Sequence, residues 1–143
     1  MGFGEALQVG FRKAFDFNGR ASQREFWFFY LWMLIIQTAV TTIFVIVISL
    51  TVVAAAASAE ASPNDTVAFG AVGASVFLYL LLFLVLFALA VPLYASEVRR
   101  LHDTGQSGWF VAFNFASLGI VPLIMCIFEG QPHENQWGPV PQR

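Results

Sequence analysis

Three long stretches of the chain carry no formal charge. Tyrosine is the only ionisable type between Glu25 and Glu60, and again between Asp65 and Glu97. Between Asp103 and Glu129 the only ionisable side chain is the thiol of Cys126. Each gap exceeds the ~20 residues a helix needs to cross a ~30 Å hydrocarbon core. Lipid offers no partner to a free backbone group, and the alternation of a membrane barrel is missing, so the gaps read as helices. The pattern predicts an all-α membrane protein with three transmembrane helices, at about 23–57, 66–94 and 108–128. The first stretch could span ~50 Å at 1.5 Å per residue, and tilt or protrusion absorbs the excess.

The flanking pattern adds detail. Phe3, Leu7, Phe11, Ala14 and Phe15 recur at helical spacing, so about 3–17 predicts a short interfacial amphipathic helix preceding the spans. Asn18-Gly19-Arg20 is a turn signal. Ser22 followed by Glu25 fits a capping box at the start of the first span. Residues 58–65 form a polar connection. Ala57-Ser58-Ala59 resembles a signal-peptidase site, but the preceding apolar run is far longer than a signal peptide's. Gly70, Gly73 and Ala74 suit close helix packing, and Gln37 and Asn114 suit hydrogen bonds between helices. Pro92 predicts a kink or an end to the second helix, and Pro122 a bend in the third. Ser107 is placed to cap the third helix, and 129–143 reads as an extended tail.

Composition agrees: 58% of the 143 residues are apolar and 11% charged, against roughly 25% charged in a soluble domain. One cysteine forbids an internal disulfide. No nucleic-acid motif, cofactor motif or metal-ligand spacing is present, so the expected partners are membrane lipids and a larger membrane-protein complex or a second copy. Lys and Arg favour the cytoplasmic face. Arg12, Lys13, Arg20, Arg24, Arg99 and Arg100 share one face if the chain crosses three times with its N-terminus inside, which leaves Arg143 and the tail outside. Trp27, Tyr30, Trp32, Tyr94 and Trp109 fall near the same face, as an aromatic belt does. That topology also puts His102 and His133 on opposite sides.

Two segments carry a resemblance: 17–27, Phe-Asn-Gly-Arg-Ala-Ser-Gln-Arg-Glu-Phe-Trp, and 99–109, Arg-Arg-Leu-His-Asp-Thr-Gly-Gln-Ser-Gly-Trp. With Glu129-Gly130 and Asn135-Gln136-Trp137-Gly138-Pro139 they resemble the YhaH-like family of small bacterial inner-membrane proteins, catalogued as a domain of unknown function. The likeness runs from about residue 11 onward. It departs where Val140 stands before Pro141, a place where the family usually shows an acidic residue, and in the Ala-rich stretch 53–61. The resemblance implies a bacterial plasma membrane and no particular activity.

The polar motifs leave three readings open. Arg20, Arg24, Arg99, Arg100, His102, Asp103 and Trp109 are candidates to bind lipid or a partner. Arginines among Glu25, Glu97 and Asp103 can simply pair with one another at the helix ends. They can hold a phospholipid phosphate, helped by N–H groups of the helix starting near Gly108. Or His102 and Asp103 can act as acid and base, although neighbours in a turn seldom orient one another and no nucleophile is evident. The leading expectation is a non-enzymatic accessory or structural subunit. Anionic phospholipid binding at the arginines and a membrane enzyme using His102 and Asp103 are the alternatives.

Overall fold

Amides shielded from water must bond within their own segment, and two of the three charge-free stretches do so as unbroken helices. The computed structural model describes residues 2–61 and 65–141. It places α1 at Phe3–Arg12, α2 at Gln23–Ala61, α3 at Asp65–Asp103, a 3-10 segment at Gly108–Asn114 and α4 at Ile120–Met125. No strand forms among the described residues; Asn135 and Gly138 make one isolated bridge. α2 and α3 have 39 residues each, about 60 Å of helix. Gln23–Ser58 and Phe69–Asp103 are long and apolar enough to cross a bilayer. Of the polar connection expected at 58–65, residues 62–64 lie outside the described residues; its other positions belong to α2 and α3. Arg143 also lies outside them.

The expected third span is absent as a continuous helix. Within 108–128 the chain makes the 3-10 segment, a left-handed residue at Ser117 (φ 60°) and the six-residue α4. Asn114 ends the first piece: its Nδ2 donates to the Val111 carbonyl and to Glu97 Oε2. The Leu118 N–H then bonds back to the Phe113 carbonyl. Six residues cover about 9 Å, far short of a ~30 Å core. Pro122 falls early in α4, where a missing N–H does little harm. Ser107 does cap the 3-10 segment, its Oγ accepting from Trp109 N at 3.3 Å.

The second helix also outruns expectation. α3 continues past Pro92 to Asp103 instead of ending near Tyr94. Beyond the proline, residues 95–103 are all buried. That packing outweighs the roughly 3 kcal/mol that an interior proline costs. At the start of α2, Ser22 Oγ accepts from Glu25 N at 3.3 Å, half of the expected capping box. The Glu25 carboxylate faces Arg99 instead, at 3.8 Å.

The chain divides into two compact units, Met1–Leu34 with Leu89–Arg143, and Ile35–Ala88. In Ile35–Ala88, Ile48 and Leu82 are the buried large apolar side chains among the described residues. Ile43, Leu50, Val53, Phe69, Phe77 and Phe83 are exposed. Val52, Ala55 and Ala56 of α2 face Ala71, Val72 and Ser75 of α3 across an apolar cleft of about 420 Å³. Among the described residues of this chain, the small-residue contact expected at Gly70, Gly73 and Ala74 is not made. A Cβ on either glycine would meet nothing within 4 Å, and Ala74 is exposed. The helix face turned to α2 is the one bearing Ala71 and Ser75. Gln37 is half-buried and makes no hydrogen bond among the described residues.

The other unit holds the buried polar and charged side chains among the described residues. Its core is Phe26, Leu101 and Cys126, with Trp27, Tyr30, Phe110, Leu123 and Met125 packed against them. α1 lies against the first turns of α2. Phe3 stacks on Trp32 with ring centres 4.6 Å apart, and Trp32 Nε1 donates to the Phe3 carbonyl. Gly10 sits directly against the Phe29 ring. Part of the α1 apolar face is thus covered by the chain itself, while Phe3, Phe11 and Phe15 stay exposed.

Candidate functional site

Arg20 precedes α2 by one turn, and the backbone around it is fixed by Ala21 N donating to the Arg99 carbonyl at 3.0 Å. Its guanidinium is buried with Asp103, the last residue of α3: Nε and Nη2 lie 2.9 and 2.8 Å from Oδ1. The remaining hydrogens go to the tail. Nη1 donates to the carbonyls of His133 (2.8 Å) and Gly138 (3.3 Å), and Nη2 to that of Gln131 (2.6 Å). Arg100 approaches the same carboxylate from the other side, pairing through Nη1 with Oδ2. Its Nε and Nη2 donate to the carbonyls of Cys126 and Phe128. One carboxylate between two arginines therefore anchors five carbonyls from 126–138 to the ends of α2 and α3. The fork of the guanidinium suits it to such multiple, planar bonding.

A second buried group lies nearby. Arg99 Nη2 is 3.8 Å from Glu25 Oε1, and Arg99 Nη1 donates to the Lys13 carbonyl at 3.3 Å. Arg99 Nε, Glu97 Oε1 and Ser96 Oγ have no hydrogen-bond partner among the described residues. Asn114 satisfies the other Glu97 oxygen, the one contact expected of Asn114 that the structure makes. Burial, and after it the Glu97 carboxylate, push the Cys126 thiol up to about 12 against the opposing pull of Arg100. The thiol is therefore a packed, protonated core group.

His102 does not pair with Asp103. Its Nδ1 bonds the Gly19 carbonyl at 3.1 Å, and its ring lies flat on Trp137, centres 4.5 Å apart and planes 8° apart. Asn135 Nδ2 donates to the His102 carbonyl at 3.0 Å. The Asp103 carboxylate is held by the two arginines, so the acid–base dyad is not formed. Trp109 is 85% exposed. With Phe17, Val98, His102, Ser107, Gly108, Val111 and Trp137 it lines a groove of about 510 Å³.

Of the candidate residues, Arg20, Arg100 and Asp103 come together in one cluster, while Arg99 joins Glu25. Arg24 is exposed at the rim of a 210 Å³ polar cleft with Ser22, Gln23, Glu129 and Gly130. The tail packs on the segment before α2, where Arg20 bonds residues 131, 133 and 138 directly. His102 and His133, expected apart, belong to the same compact unit. The residues missed as site components are Gln131, Asn135, Trp137 and Gly138. The 135–139 motif stood out in the sequence, but nothing there gave its contacts. Gly138 has a φ of 123°, and a Cβ at Gly130 would collide with Asp103.

The family model described as "Protein of unknown function (DUF805)" matches residues 14–139. "Inner membrane protein YhaH" of Escherichia coli strain K12 is 29% identical over 133 residues, covering 88% of this chain and 87% of the relative. The protein of that name from Escherichia coli O157:H7 matches to the same extent. No solved structure matches the chain.

Proposed function

The chain belongs to the DUF805 family of proteins of unknown function, and from that premise we propose that it is a non-enzymatic integral protein of a bacterial inner membrane. In this reading it is an accessory or structural subunit that packs its apolar helices against other membrane components. The observation that carries the proposal is the apolar surface of Ile35–Ala88, where large side chains from Ile43 to Phe87 stand exposed. The saturated arginine cluster supports it too, since those charges are spent on the chain's own backbone. The K12 relative's name, an inner membrane protein, supports the location.

In this topology α2 and α3 cross the bilayer, and the polar unit sits at the cytoplasmic face. Arg12, Lys13, Arg20, Arg24, Arg99 and Arg100 all belong to that unit, in keeping with the positive-inside tendency. α1 and the segment 108–128 lie in the head-group layer, with Phe15, Phe115, Ile127 and Phe128 toward the acyl chains. A photo-cross-linker at Val53 or Phe77 in native membranes should give a defined adduct with another protein or a second copy; a monomer cross-linked only to lipid would overturn the subunit reading. A membrane-impermeant maleimide added to intact cells should miss a cysteine at exposed Glu134, and labelling from outside would overturn the topology.

The exposure of Arg24 and Arg12 favours a narrower second reading, anionic phospholipid held at their unburied charges. Arg24→Gln should then lower the phospholipid retained in native mass spectrometry, and unchanged retention would exclude it.

A further inference from the structure

We propose that the groove beside His102 binds a lipophilic phenol or quinol through its aromatic hydroxyl. The argument begins with a tautomer. The Gly19 carbonyl can only accept, so the His102 Nδ1 that bonds it at 3.1 Å carries the hydrogen. In the neutral ring this leaves Nε2 with a lone pair, an acceptor. Trp137 stacked on one face and Asn135 on the His102 carbonyl hold the ring in place. No described residue bonds Nε2. Gly108 keeps that edge clear, for a Cβ there would stand 2.9 Å from Nε2.

A second polar atom lines the same groove. Ser107 Oγ already accepts from Trp109 N at 3.3 Å, so its own hydrogen remains to be donated. The groove thus offers one acceptor and one donor among Phe17, Val98, Trp109, Val111 and Trp137. A hydroxyl satisfies both at once, donating to His102 Nε2 and accepting from Ser107, and on an aromatic ring it also suits the apolar walls. A carboxylate would meet the Nε2 lone pair with no cation lining the groove, and an ammonium has nothing to offer the Ser107 hydrogen. Two indoles and a phenyl ring are the walls an aromatic ring stacks on. The groove volume of about 510 Å³ suits such a molecule.

The source is either a membrane quinol or a water-soluble phenol, and the test separates them. This inference rests on the membrane reading only for the source, and not on the accessory role. Its failure would leave the cross-linking result untouched. The full chain in detergent micelles is titrated with reduced decylubiquinol, with its bis-methyl ether and with phenol, following tryptophan emission. Saturable binding of the quinol at least about tenfold tighter than the ether is expected, the loss of one matched hydrogen-bond pair. Phenol saturating while the quinol does not would assign the soluble source. His102→Asn keeps a donor for the Gly19 carbonyl and removes the Nε2 acceptor. It should bind quinol as weakly as ether while still unfolding in one cooperative transition, at a temperature lowered by the lost stacking on Trp137. Trp109→Ala, an exposed and fold-neutral change, should weaken both probes several-fold. Equal binding of hydroxyl and ether probes by the native chain, or only non-saturating partition, would overturn the proposal whatever the variants do.

Discussion

Replacing Asp103 with Asn removes the one negative charge between two buried guanidiniums without changing the side-chain size. The side chains of Arg20 and Arg100 are 1% exposed, and that of Asp103 is 4% exposed. Breaking a buried pair by deleting one partner costs about 3–5 kcal/mol, because the charge left behind has lost its counterion. Here Arg20 keeps three carbonyl acceptors and Arg100 two, so the lower end of that range, about 3 kcal/mol, is expected. Cys126 reports the effect, being fully buried with its carbonyl bonded to Arg100 Nε. Maleimide reaches the thiol only when this unit opens. A loss of about 3 kcal/mol should speed labelling roughly 100-fold in mild detergent, with equal rates in both proteins after full denaturation. Arg24→Gln, which touches no buried charge, should change the rate less than about threefold. An acceleration below about fivefold for Asp103→Asn would match a solvated pair worth at most about 1 kcal/mol, and would refute the reading of the cluster as a desolvated clasp.

Three further outcomes follow from named contacts. Gly130→Ala sets a methyl against the Asp103 carboxylate; an overpacking loss of about 1–3 kcal/mol is expected, read as faster Cys126 labelling. Gly10→Ala drives a methyl into the buried Phe29 ring, which should loosen α1 and speed tryptic cleavage at Arg12 and Lys13 several-fold while Cys126 labelling stays nearly constant. The Cys126 thiol ionises near 9.0 when unfolded and at about 12 when folded. The unfolded chain therefore loses its proton first, and the thiol's contribution to stability falls as pH rises above 9. The stability difference between the native chain and Cys126→Ala should shift against the native chain by about 1.4 kcal/mol per pH unit between 9 and 12, as measured by denaturant unfolding; a constant difference would contradict it.

Hydrophobic runs free of ions already determine that the stretches at about 23–57 and 66–94 are helices of membrane-spanning length, because lipid and backbone hydrogen bonding leave no other local solution; the extension of α3 to Asp103 was not legible there. Ser22 and Ser107 as caps were legible for a similar reason, since a hydroxyl reaches only the N–H groups beside it. The fate of 108–128 was not. Apolarity reports the preferred solvent of a segment, while its continuity as a helix was decided by Asn114 bonding Glu97 and by the left-handed Ser117. Nor could the sequence assign the arginines. Arg99 and Arg100 are neighbours, yet one turns to Glu25 and the other to Asp103, and Arg20 closes the cluster from 83 positions away. The His102-Asp103 neighbours diverge in the same manner. Local spacing sets which residues share a helix end, but desolvated charges take their partners from whatever backbone and side chains the tertiary fold brings within reach, and most of those come from distant parts of the chain.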